Sequence, residues 1–115
     1  MSLDLVISCP INQEERALLY PICSEGTFDN VILPISLKYE LHMIEDWHPF
    51  VHVCKENLDE FLRQMEILIH HIHVAIDDGD MPLKSRIFFD DRLYGMIDLI
   101  KELLDARSDL IVSIG

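Results

Sequence analysis

Basic residues are scarce in this chain: 9 Lys and Arg stand against 21 Asp and Glu, for a formal net charge of −12. A protein that grips nucleic-acid phosphates needs a basic footprint, so no nucleic-acid partner is expected. Glycine is scarcer still, limited to Gly26, Gly79, Gly95 and Gly115. These form neither a P-loop nor a G-x-G-x-x-G, and a backbone cradle for phosphate is hard to build from them. The cysteines Cys9, Cys23 and Cys54 are widely spaced, with no C-x-x-C. An odd count of this kind reads as reduced thiols in a cytosol. No stretch approaches the roughly 18 consecutive apolar residues of a membrane span, and the most apolar run, Ile67–Ile76, contains His70, His71 and His73. The opening MSLDLVISCP has no basic segment and no long apolar run, so no secretory leader is expected. Nor is there a G-x-S-x-G or an H-E-x-x-H to mark a nucleophile or a zinc protease. These absences describe a cytoplasmic chain with no cofactor and no membrane partner.

What the chain does have is hydrophobic patterning. Hydrophobic residues make up 50% of its 115 positions, enough for a core and too many for a disordered chain. The length suits a single domain over 1–115. The longest periodic segment is Asn57–Ile76, with apolar residues at Leu58, Phe61, Leu62, Met65, Leu68, Ile69, Ile72, Ala75 and Ile76. That spacing predicts an amphipathic helix with one buried face. Asn57 is an N-cap type, Glu60 stands at capping-box distance, and Gly79 offers a left-handed stop. The second half of this helix departs from the pattern, because Ile67 and Val74 fall on its polar side. Either another element or a partner subunit must cover them.

Leu3–Cys9 reads as a strand, central because both of its faces are apolar. Asn12 and Glu15 repeat the N-x-x-E capping signature, which predicts two helical turns over Glu14–Tyr20; a strand over Ala17–Cys23 competes. Ile35, Leu37, Tyr39, Leu41 and Met43 alternate with polar residues, the period of a half-buried strand. Phe50–Cys54 is a second strand, and the two would pair as a hairpin leading into the long helix. A second helix begins near Asp90 or Asp91, and Leu110–Ile114 closes the chain as a strand beside the first. The fold class is therefore α+β: a small, mostly antiparallel sheet with strands near 3–9, 35–43, 50–54 and 110–114, packed against two main helices, 57–76 and 91–106.

Two function classes follow. The first is a small acidic cytosolic protein-binding module that holds a basic protein partner by shape and negative charge. Inhibitors of toxins and nucleases, such as immunity proteins and antitoxins, are of this type in size and charge, although no residue motif marks such a family. Its contact residues are expected to be Glu45, Asp46 and Trp47 at a hairpin tip, and Asp77, Asp78 and Asp80 in the loop after the long helix. A homodimer through Ile67, His71 and Val74 is a related expectation. The alternative is a small metal-dependent enzyme using His70 and His73, which three-residue spacing turns to one side of a helix. Zinc needs three or four convergent ligands, so no native metal site is expected. The acids that follow, and the helix C-terminus, favour imidazolium, so the histidine segment is expected to change charge between pH 5 and 8.

Overall fold

In chain order the computed structural model, which describes residues 2–115, runs β1 (Ser2–Ser8), α1 (Gln13–Ala17), β2 (Tyr20–Ser24), α2 (Glu25–Thr27), a π-helical turn (Phe28–Ile32), α3 (Leu33–Lys38), α4 (His42–Glu45), β3 (Val51–Val53), α5 (Leu58–Asp77), α6 (Lys84–Ala106) and β4 (Ile111–Ile114). The fold is α+β. Four strands form one sheet in the order β2-β1-β4-β3, and every neighbouring pair is antiparallel. The first and last strands are its centre. Leu5 lies opposite Ile114, Ile7 opposite Val112, and Val53 also opposite Val112. Period-two geometry thus puts Leu3, Leu5, Ile7, Val53, Val112 and Ile114 on one buried face. Val6 and Ser113 pair on the other face.

The sheet is covered by the two long helices, α5 and α6. Phe61, Met65, Leu68, Ile69, Ile72 and Ile76 are buried along α5, at the helical spacing the sequence shows. Its caps are divided. Asn57 does not cap α5 with its side chain. Its Oδ1 instead accepts from the Cys54 N–H at 2.8 Å, and its Nδ2 donates to the His52 carbonyl at 3.1 Å. Glu60 accordingly makes no capping box and binds Arg63 and Gln64 instead. At the other end the expected stop is present. Gly79 has φ 82°, its N–H donates to the Ile76 carbonyl at 3.1 Å, and the Asp80 N–H donates to the Ala75 carbonyl at 2.9 Å. Those two bonds make a Schellman motif.

The strand expected over 35–43 does not form; α3, a turn and α4 occupy that segment. A helical stripe starts upstream, in residues that read as loop. Phe28, Ile32 and Ser36 are spaced four apart and all buried, and the Ser36 hydroxyl donates back to the Ile32 carbonyl at 2.8 Å. Pro34 stands at the junction of the π-helical turn and α3. Glu40, at φ 56°, separates α3 from α4. The alternation of Ile35 to Met43 is thus shared between two short helices, with Leu41 buried and Leu37 exposed. Consequently β3 pairs with β4 and makes no hairpin with this segment.

Three boundaries also differ. The helix expected at 91–106 starts earlier, at Lys84; Leu83 just before it and Ile87 and Phe88 in its opening turns are exposed, so the amphipathic pattern does not mark this start. The helix expected over Glu14–Tyr20 is only Gln13–Ala17, although its N-x-x-E signature is real: Asn12 Oδ1 accepts from the Glu15 N–H at 2.8 Å. The competing strand reading holds for Tyr20–Ser24, which becomes an edge strand.

Tyr20 also explains Gly95. The Tyr20 hydroxyl donates to the Arg92 carbonyl at 2.8 Å, and a Cβ on Gly95 would stand 2.5 Å from that hydroxyl. Glycine costs a helix interior about 1 kcal/mol relative to alanine, and here it admits the bond between β2 and α6. Gly95→Ala is expected to destabilise the fold by about 1–2 kcal/mol, since steric overlap and a lost hydrogen bond outweigh helix propensity. In a Tyr20→Phe background the same change should be neutral, or stabilising by up to ~1 kcal/mol. Urea unfolding of the four proteins checks this; an equal cost in both backgrounds would contradict it.

Candidate functional site

The two long helices lie side by side and bring together what the sequence placed apart. On α5, His70 and His73 face a cleft of about 440 Å³ against α6, lined also by Glu66, Tyr94, Asp98 and Lys101. The three-residue spacing of the imidazoles does turn both to one side. His73 is half-buried, and its Nε2 lies 2.6 Å from Asp90 Oδ1. Arg86 reaches the other oxygen of Asp90 at 3.7 Å and Asp77 Oδ1 at 3.9 Å. A row of alternating charge therefore ties the end of α5 to the start of α6. Among the described residues, no three His, Cys, Asp or Glu side chains are grouped to hold a metal ion. His70 and His73 have no convergent third ligand.

His71 points elsewhere. Its ring stacks on Tyr39 with centroids 3.7 Å apart and planes 9° from parallel. Burial there pushes its pKa down from 6.5, and His70 and Lys38 push the same way. The sequence suggested the opposite direction for this segment, from its acidic neighbours. At His71 desolvation outweighs them, because Tyr39 covers the ring. Tyr39 lies just beyond α3, and α3 is the element that crosses this part of α5. The expected dimer face is therefore not an open apolar surface: Ile67 packs against the core, His71 lies under Tyr39, and only Val74 is exposed.

The acidic residues divide into two groups. Asp77, Asp78 and Asp80 are all exposed. They stand on the last turn of α5 and its Schellman stop, where the helix dipole already adds negative potential. The 3.9 Å contact from Arg86 to Asp77 is the only ion pair to these three among the described residues. Glu45 and Asp46 lie at the end of α4. Glu45 holds His42 at 3.2 Å, a contact that raises the His42 pKa. The Met43 N–H donates to Gln64 Oε1 at 2.9 Å, which fixes α4 against the middle of α5. Gln64 and Asp77 are separated by about 20 Å along the helix axis at 1.5 Å per residue, so the two groups are distinct patches.

Trp47 belongs to neither patch. It is fully buried and stacks on Phe28 at 6.1 Å; its indole Nε1 has no hydrogen-bond partner among the described residues. It is an anchor beneath α4 and presents no surface to a partner. The sequence reading missed the exposed apolar start of α6. The available signal was MPLKSRIFF, apolar residues upstream of the regular buried stripe. Cys23 is an inert thiol: burial first, then Asp4, pushes its pKa up to about 11.

No helix among the described residues is long and apolar enough to cross a membrane. Compared with known proteins, the chain matches no family model, no curated protein and no solved structure.

The stacking of His71 has a pH signature. A depressed folded-state pKa means that stability from neutral His71 is present above the unfolded value near 6.5 and is lost as pH falls through the folded value. NMR titration should show His71 titrating below 6.5, and Tyr39→Ala should move it back up. Titration of His71 at or above the ordinary value in the intact chain would refute the desolvation of His71 by this stack.

Proposed function

We propose that this protein is a small, acidic, cytoplasmic protein-binding module that captures a basic protein partner, in the manner of an inhibitor or immunity protein. The observation that carries this reading is the corner formed by Asp77, Asp78 and Asp80, three exposed carboxylates opposed by a single loose cation. The Schellman motif at Gly79 holds the turn in one conformation, so little ordering entropy is lost on contact. A rigid negative corner on a chain of net charge −12 steers a positive surface and sets its orientation. Glu45 and Asp46 supply a second contact for a partner whose basic residues extend about 20 Å, the rise of some thirteen helical residues. The alternative, a metal-dependent enzyme built on His70 and His73, has no supporting third ligand and is not favoured.

The partner is sought by crosslinking in the source cells and by testing the product of the adjacent gene. Calorimetry of the purified pair then measures the corner. A partner of net positive charge is expected. Replacing Asp77, Asp78 and Asp80 together by Asn should weaken binding about tenfold or more, ~1.4 kcal/mol, mostly through slower association. A neutral or acidic partner, or an unchanged affinity in the triple variant, would contradict the proposal.

A further inference from the structure

We infer that the outward face at the start of α6 is a self-association surface, and that it pairs antiparallel with the same face of a second copy of this chain. Leu83 and Ile87 are each 76% exposed, and Tyr94, at the rim of the cleft between α5 and α6, is 47% exposed. At about 100° per residue these three fall within a ~40° arc of the helix, on the flank away from the buried Phe89, Leu93 and Met96. Two large aliphatic side chains held in water at neighbouring helical positions mark an interaction surface.

The charges on this face select the occupant. Lys84 stands beside Leu83 and Ile87, outside the row that pairs Arg86 with Asp77 and Asp90, so this face carries a positive charge that an acidic group must meet. Asp91 lies seven residues after Lys84, two turns on and on the same outward side. Among the described residues, neither Lys84 nor Asp91 is in an ion pair. A twofold interface must be self-complementary, and this one is. If two antiparallel α6 helices cross between Ile87 and Phe88, Lys84 of each copy meets Asp91 of the other. Ile87 of each copy then meets Ile87 of the other near the axis, and Leu83 falls beside Tyr94, about 20° from it round the helix. Antiparallel pairing also sets the two helix dipoles in their favourable sense. This inference does not rest on the acidic corner, which leaves Asp78 and Asp80 free for a different partner.

Analytical ultracentrifugation of the full chain tests it. A concentration-dependent monomer–dimer equilibrium is expected, and Ile87→Glu should abolish it with the far-UV circular dichroism unchanged. Lys84→Glu or Asp91→Lys alone should weaken the dimer about tenfold, and Lys84→Glu combined with Asp91→Lys should restore it. Should Ile87→Glu lose its fold, the charge exchange decides. A chain that stays monomeric up to about 1 mM would overturn the inference. So would a dimer indifferent to Ile87→Glu, or an exchange variant no better than its single components.

Discussion

The structure depends on the burial of one helix face. Phe61, Met65, Leu68 and Ile72 on α5 are inaccessible to solvent. At about 1.5–3 kcal/mol for each buried side chain, their contribution is of the order of the whole stability of a small domain, about 5–15 kcal/mol. Every other layer is registered against this helix. The sheet turns its apolar face inward, α4 is held through Met43 and Gln64, Tyr39 at the end of α3 covers His71, and α6 is tied through His73 and Asp90. Gln64 shows how tightly the stripe is specified. It is the one polar residue buried on α5, and its amide both accepts from Met43 and donates to Glu60 at 3.1 Å, so neither end is left unsatisfied.

The parts of the fold that were legible in the sequence are those whose pattern is local. The stripe of α5 is visible because one side of the helix meets the core and the other meets water. The strands at β1, β3 and β4 were readable as short apolar runs, and the stop at Gly79 as a single residue suited to positive φ. The segment from Leu33 to Glu45 was not. Five apolar residues at period two fit a strand, and they fit two short helices broken at Glu40 equally well; what decides is Phe28 and Ile32, which lie outside the alternating stretch and extend it as a helical stripe. The start of α6 was hidden because Leu83 and Ile87 face solvent, contrary to the rule used to find helices. At the site, the acidic turn was legible because a glycine among aspartates after a helix needs only local chemistry. The burial of Trp47 was not, since it depends on stacking with a phenylalanine nineteen positions earlier. Of the two apolar residues on the polar side of α5, Ile67 packs against the core and Val74 stays exposed.

The proposed activities sit on either side of one helical hairpin. The end of α5 presents carboxylates, and the start of α6 presents apolar and basic side chains. The row His73, Asp90, Arg86 and Asp77 runs between them. Charge of one sign is thus offered to an unlike partner, while the mixed stripe is complementary to itself. The middle of α5 takes no part in either; it remains core while its last turn carries the surface.

That division is measured most directly by titrating a lysine- and arginine-rich peptide into the isotopically labelled protein and following backbone amide shifts. The expected result is that Asp77, Asp78, Gly79 and Asp80 move together, with smaller changes at Glu45 and Asp46, while the amides of Phe61 to Ile72 keep their shifts and their protection from hydrogen exchange. Shifts spread evenly over all exposed carboxylates, or a response centred away from the end of α5, would contradict it.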